Sequence, residues 1–257
     1  MFIEFYKYQG TGNDFIMIDD REHNFDIKNS QLISALCERR MGIGADGLIL
    51  LRNHQKYDFE MIYFNADGIQ SSMCGNGGRC IIDFAFTLEI IDSEATFIAI
   101  DGVHKGKIFE DIVALKMQNV KRIKEIGDDF LLDTGSPHYI KMVDNLDSLN
   151  INKEGKNIRN SDLFQKDGVN VNFVLNDNNL EVRTYERGVE SETLSCGTGA
   201  VAVALSMYYA GYIKDTDIQI ETKGGSLGVS FEEFNGIYRN IWLSGDASMV
   251  YAGEFEC

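Results

Sequence analysis

The sequence predicts an α+β protein of two similar halves, each wrapping strands around one central apolar helix, and three observations predict it. Ser72-Met73-Cys74-Gly75-Asn76-Gly77 and Leu194-Ser195-Cys196-Gly197-Thr198-Gly199 are near-identical turns, each following a strand-like run and opening an apolar stretch of helical length. A shift of 122 or 123 positions places Cys74 on Cys196, Asn13 on Ser136, Gly47 on Asn170 and Asn65 on Arg187. Such constant offsets imply duplicated halves related by a pseudo-twofold axis. The two helical stretches lack a polar face, so each has to be enclosed by strands of its own half.

Ile3 to Tyr8 and Phe15 to Asp19 read as strands around a glycine-rich turn. Ser30 to Arg39 reads as a helix with Ser30 as its N-cap. Leu48 to Leu51 and Phe59 to Phe64 are strands, the second leading into the Cys74 turn. The first central helix is predicted over Arg79 to Ile91, where Ile81, Ile82, Phe84, Ala85, Phe86 and Leu88 cover most of its circumference. A charged stretch from Val120 to Asp128 marks the boundary, which gives domains of residues 1–121 and 122–247. Leu180 to Tyr185 repeats the strand before the Cys196 turn, and Ala200 to Tyr212 is the second central helix.

A chain of 257 residues, 44% hydrophobic and 25% charged, has material for two proper cores. Its 40 acidic residues against 24 basic give a net charge of −16 with no basic cluster, which argues against nucleic-acid and anionic-membrane partners. Met1-Phe2-Ile3-Glu4-Phe5 alternates like a strand and lacks a basic leader, and the longest apolar stretch, Ala200 to Ile213, is too short to span a membrane. Five cysteines without a CxxC pair fit a reducing compartment, so a cytoplasmic protein is expected. Four histidines outside any Cys/His cluster give a metal site little support.

A helix that opens on glycines presents unpaired N–H groups and its positive dipole end, which favour an anion and lower the pKa of a thiol placed there. Cys74 and Cys196 are therefore candidate acid–base groups. Cys37, Cys80 and Cys257 read instead as buried small hydrophobes. Alone, His138 after Pro137 would be a turn residue, Glu186-Arg187 a surface ion pair and the asparagines turn formers; only their joint placement raises them.

That placement is carried by Gly12-Asn13-Asp14-Phe15, Gly42-Ile43-Gly44-Ala45-Asp46-Gly47, and Phe64-Asn65-Ala66-Asp67-Gly68 leading to Met73-Cys74-Gly75-Asn76-Gly77. It continues through Ser136-Pro137-His138, Val169-Asn170-Val171, Tyr185-Glu186-Arg187-Gly188 and Ser195-Cys196-Gly197-Thr198-Gly199. In this order and spacing the chain resembles the diaminopimelate epimerase family over essentially its whole length. The resemblance implies two domains, each a strand-rich barrel around a central helix, with the C-terminal strand, residues 248–257 here, returning to the first. It also implies a homodimer acting without a cofactor to interconvert LL- and meso-diaminopimelate in lysine and peptidoglycan-precursor synthesis.

Such chemistry explains two thiols: inverting an α-carbon requires removing a proton from one face and delivering one to the other, which one fixed base cannot do. With no cofactor as electron sink, charge developing on the α-carboxylate must be met by fixed dipoles, which helix N-termini supply. By resemblance, Cys74 and Cys196 are the catalytic pair, and Glu186 and His138 tune or orient them. Asn13, Asn65 and Asn170 bind the substrate's amino and carboxylate groups, Glu186 and Arg187 grip it, and the N–H groups of Gly75, Asn76, Gly197 and Thr198 cradle the reacting carboxylate. Three features depart from the family. Ser136 stands where Asn is common and Gly47 where Gln is common, which leaves contacts there to water or neighbours, and eight residues rather than seven separate Arg187 from Cys196. Proline racemases and hydroxyproline epimerases share the two-cysteine logic but carry His where this chain has Asn76. Phenazine-biosynthesis-like isomerases share the fold without the cysteine pair, and a non-catalytic amino-acid binder is the remaining alternative.

Overall fold

The computed structural model describes residues 2–256. Two compact units emerge, one running through Leu115 and completed by the segment from Gly245, the other Lys116–Ser244. Cys257 lies outside the described residues.

The first unit contains β1 (Phe2–Gly10), β2 (Asn13–Asp19), α1 (Ser30–Cys37), β3 (Gly47–Arg52), β4 (Phe59–Asn65), β5 (Gln70–Ser71), α2 (Gly75–Thr87), β6 (Glu94–Ala99), β7 (Gly102–Phe109) and β8 (Ile112–Lys116). The second contains β9 (Ile123–Ile126), β10 (Asp129–Asp133), β11 (Pro137–Met142), α3 (Ile151–Arg159), β12 (Asn170–Asn176), β13 (Leu180–Glu186), β14 (Ser191–Thr193), α4 (Gly197–Tyr209), β15 (Asp217–Thr222), β16 (Gly225–Phe234) and β17 (Ile237–Gly245). The last strand, β18 (Ser248–Glu256), belongs to the first unit.

The two units are built alike, ladder for ladder. β1–β2 is antiparallel, β2–β3 parallel, β3–β4 antiparallel, β4–β6 parallel and β6–β7 antiparallel. In the second unit β10–β11, β11–β12, β12–β13, β13–β15 and β15–β16 repeat those senses in the same order. β9 lies antiparallel beside β10, and the corresponding place beside β1 is filled by β18, with Phe2 opposite Glu256 and Gln9 opposite Ser248. The chain's end thus supplies to the first unit the strand that the second takes from its own beginning.

Each set of strands encloses a helix. α2 packs on β1, β2, β3 and β7, and α4 on β10 to β13, β15 and β16. α4 is buried from Ala200 through Met207 without interruption, and α2 from Gly75 through Ile82. The strands bury their outer faces as well. Ile16, Ile18, Leu48 and Leu50 pack with Ile33 and Leu36 of α1, and Val171, Phe173 and Tyr185 pack with Ile151 of α3. Two buried faces explain why Phe15-Ile16-Met17-Ile18 and Leu48-Ile49-Leu50-Leu51 are apolar without alternation.

Several expected boundaries move. The central helices start at Gly75 and Gly197, directly after the cysteines, rather than at Arg79 and Ala200. Glycine is a poor helix former, but each cysteine takes the N-cap position and enclosure by strands outweighs the propensity. They end at Thr87 and Tyr209 instead of Ile91 and Tyr212, where Glu89 and Gly211 adopt left-handed φ of 57° and 75°. α1 ends at Cys37 and is capped by Asn29, whose Oδ1 accepts from Leu32 N–H at 3.0 Å, so Ser30 is its first helical residue. Register also revises one equivalence. Gly47 lies opposite Asn65, and Val171 opposite Tyr185 carries Asn170 opposite Glu186, so the ladders match Asn65 to Glu186 rather than to Arg187.

Candidate active site

In the first unit the polar groups gather where β2 begins and α2 opens. Cys74, half-buried at the N-cap of α2, accepts the Gly77 N–H at its Sγ over 3.3 Å. Asn13 donates from Nδ2 to the Asp46 carboxylate, and because a carboxylate only accepts, the amide orientation is set. Its Oδ1 is thereby turned to Cys74 Sγ at 3.9 Å and to Asn76 Nδ2 at 3.5 Å. Asn76 is set from behind by Arg79, a fully buried guanidinium that donates to Asn76 Oδ1 at 3.2 Å, Thr11 Oγ1 at 2.5 Å and the Gly75 carbonyl at 3.3 Å. Asn65 ends β4 across from Gly47.

Asp46 is itself held by Arg39 at 2.6 Å, Arg39 by Asp14 at 2.8 Å, and Asp14 by the buried Lys7 at 2.7 Å. Burial pushes the Asp14 carboxyl up, but the Arg39 and Lys7 hydrogen bonds outweigh it and hold the group at about 2. Asp14 therefore stays charged and the network intact at neutral pH. Sequence reasoning missed Lys7, Arg39 and Asp46 as supports of Asn13. The available signal was Asp14 and Asp46, both inside motifs that the sequence had already singled out.

The second unit assembles its residues at the ends of β11, β12 and β13 and the start of α4. Cys196 occupies the N-cap position of α4 without a side-chain capping bond, its Sγ 3.6 Å from Thr198 Oγ1. His138 is fully buried, with Nε2 2.9 Å from Thr198 Oγ1 and Nδ1 3.1 Å from Asn172 Nδ2. Burial, with the Arg187 charge adding to it, pushes the imidazole down to about 3, so it is neutral at physiological pH. Asn170 accepts the Arg187 N–H at 2.8 Å and donates to Ser136 Oγ at 2.9 Å. Glu186 ends β13, and the exposed Arg187 follows it, donating to the Asp167 carbonyl at 3.0 Å and to Ser136 Oγ at 3.4 Å.

The three departures now have local explanations. The space of a side chain at Gly47 is taken by the Phe64 carbonyl and the Tyr63 ring, since a Cβ there would meet Phe64 O at 2.5 Å and Tyr63 Cε2 at 2.6 Å. Ser136 receives hydrogen bonds from Asn170 and Arg187. The longer segment before Cys196 folds into the β13–β14 hairpin, with Gly188 and Glu190 at left-handed φ of 93° and 57° in its turn. Of the remaining cysteines, Cys37 and Cys80 are buried, and burial pushes the Cys37 thiol up to about 12 and the Cys80 thiol higher still. Both remain inert thiols.

The sequence model of diaminopimelate epimerase matches residues 5–120 and 130–250, one stretch for each half. The chain belongs to the diaminopimelate epimerase family. A family member from Flavobacterium psychrophilum is 52% identical over 252 residues, covering 97% of this chain and 98% of that protein. Another from Chlorobaculum tepidum is 42% identical over 255 residues, covering 95% and 98%. Among solved structures, a phenazine biosynthesis protein of the PhzF family from Bacillus anthracis superposes with a TM-score of 0.79 over 100% of both chains at 14% identity. A hydroxyproline epimerase from Agrobacterium vitis gives 0.73 over 98% of this chain and 92% of that one, also at 14% identity. The latter two establish the shared fold, while the family rests on the sequence matches.

Proposed function

We propose that this chain is an amino-acid epimerase that interconverts LL- and meso-diaminopimelate by a two-base mechanism without a cofactor. The observation that carries the reading is the family match through both halves, together with a cysteine at the N-cap of each central helix. Cys74 and Cys196 serve opposite faces of the α-carbon, one as thiolate removing the proton and the other as thiol returning one, and they exchange roles with direction. The N–H groups of Gly75, Asn76, Gly197 and Thr198 meet the α-carboxylate as it gains charge, because the first turn of a helix has no acceptors of its own for them. Asn13, Asn65, Asn170, Glu186 and Arg187 bind the substrate's charged ends. His138 acts through its neighbours.

The test is solvent deuterium incorporation at the α-carbon of LL- and meso-diaminopimelate, run beside proline. Label in diaminopimelate and none in proline is expected; label in proline alone would move the chain to the proline racemases, and none in either would favour a non-catalytic binder. We also read the protein as a cytoplasmic homodimer with domains of residues 1–121 plus 248–257 and 122–247. Met249, Val250 and Tyr251, 47%, 57% and 45% exposed on β18, support an apolar contact face. Among the described residues no helix is long and apolar enough to cross a membrane. A monomeric mass by light scattering would remove the dimer.

A further inference from the structure

Hydrogen-bond direction can be followed through the second unit atom by atom. Asn172 lies near the Tyr139 carbonyl at 3.3 Å, and since a carbonyl oxygen only accepts, the near atom is Nδ2. Its Oδ1 accepts from the Thr184 hydroxyl at 2.9 Å, which agrees with that orientation. The second Nδ2 hydrogen then points to His138 Nδ1 at 3.1 Å, a closer approach than that of Asn170 Nδ2 to Nε2 at 3.5 Å, so Nδ1 accepts and the neutral ring carries its proton on Nε2. Nε2–H donates to Thr198 Oγ1 at 2.9 Å. With an oxygen lone pair so engaged, the Thr198 hydroxyl proton is free to turn to Cys196 Sγ, 3.6 Å away. Gly199 makes the packing possible, because a Cβ there would meet Asn172 Oδ1 at 2.5 Å and Cys196 Sγ at 3.3 Å.

We infer that the Thr198 hydroxyl links His138 to Cys196 and, by donating to the sulfur, stabilises it as the thiolate, with Thr198 and Asn172 as positioning residues. An O–H donor to an anion is strengthened by the charge, whereas the same contact to a neutral thiol is weak. The first unit places other residue types at these positions. Phe15 stands at the register of His138, each opposite the first residue of its parallel partner strand, and Asn76 stands at the place of Thr198 two residues after the cysteine. Cys74 instead meets the Gly77 N–H and the Asn13 amide, with the buried Arg79 cation one turn further along α2. The two thiols therefore have unlike neighbours, a backbone N–H and an amide at Cys74 and a hydroxyl at Cys196. The epimerase reading gives that thiolate its task, but the relay is a property of the unit alone.

The strands packed against α4 carry Asp129 and Asp133 on β10, Lys141 on β11, Glu181, Arg183 and Glu186 on β13 with Arg187 following it, Asp217 and Glu221 on β15, and Glu232 and Glu233 on β16, and Thr198→Val alters none of them. The experiment is the pH dependence of iodoacetamide alkylation of each cysteine, read by peptide mapping on the intact protein without substrate. In Thr198→Val the alkylation midpoint of Cys196 rises by about one pH unit, or about tenfold in rate at neutral pH, while Cys74 keeps its profile. Thr198→Ser, which restores the hydroxyl, returns the wild-type profile. A folded Thr198→Val with an unchanged Cys196 profile, an equal shift at Cys74, or a failure of serine to restore it would overturn the relay. If valine prevents folding, Thr198→Ala carries the same expectation. No turnover is needed, so inactivity towards diaminopimelate would overturn the epimerase reading and leave this result standing.

Discussion

Cys74→Ala and Cys196→Ala should each abolish epimerisation in both directions, lowering turnover by about two to four decades or more, the range lost with a positioned acid or base. In the proposed two-base mechanism each direction needs one sulfur to take a proton and the other to give one, so neither variant retains a working direction. The structural effect should be small by comparison. Alanine keeps the Cβ of each side chain and removes only the contacts of one sulfur, among them Gly77 N–H to Cys74 Sγ in one unit and Thr198 Oγ1 with Cys196 Sγ in the other. Each such contact is worth about 1 kcal/mol, against a folding free energy several times larger. Circular dichroism and thermal melting check the fold, and LL-to-meso conversion checks the rate. Near wild-type turnover in either folded variant would remove the two-base mechanism.

Lysine should be a poor substrate beside diaminopimelate. It has the reacting amino-acid centre but lacks the second carboxylate, and the second unit carries a cation suited to one. Arg187 is exposed, and its guanidinium donates to two neutral oxygens, the Asp167 carbonyl and Ser136 Oγ. Neither neutralises its charge. Removing a charged or hydrogen-bonded interaction typically costs about 1–3 kcal/mol, or roughly one to two decades in kcat/KM. Equal efficiency towards lysine and diaminopimelate would show that nothing in the protein reads the distal carboxylate. Arg187→Met should narrow the gap by lowering kcat/KM for diaminopimelate while leaving lysine nearly unchanged.

How much of this was legible beforehand differs by element. The duplication was, because Cys74 and Cys196 recur at an offset of 122 in matching turns, and turn chemistry is local. The central helices were recognisable from their all-round apolarity, but not their starts. Gly75, Gly77 and Gly78 read locally as turn, and only a cysteine cap and a wall of strands make them helical. The Asn65 equivalence slipped by one residue because the two hairpin turns differ in length, which the ladders count and a sequence shift does not.

The sequence by itself determined the α+β class, the twofold repetition and the family, since these follow from the order of residues along the chain. Only the tertiary structure decided what stands behind each motif. Asp46 sets the amide of Asn13 across 33 residues, Arg79 reaches Thr11 across 68, and Asn172 meets the His138 ring across 34. Such partners meet because parallel and antiparallel ladders align the ends of distant strands, and hydrogen bonds are directional over about 3 Å, so no local pattern encodes them. The ladders also decided that β18, last in the chain, completes the unit that β1 begins.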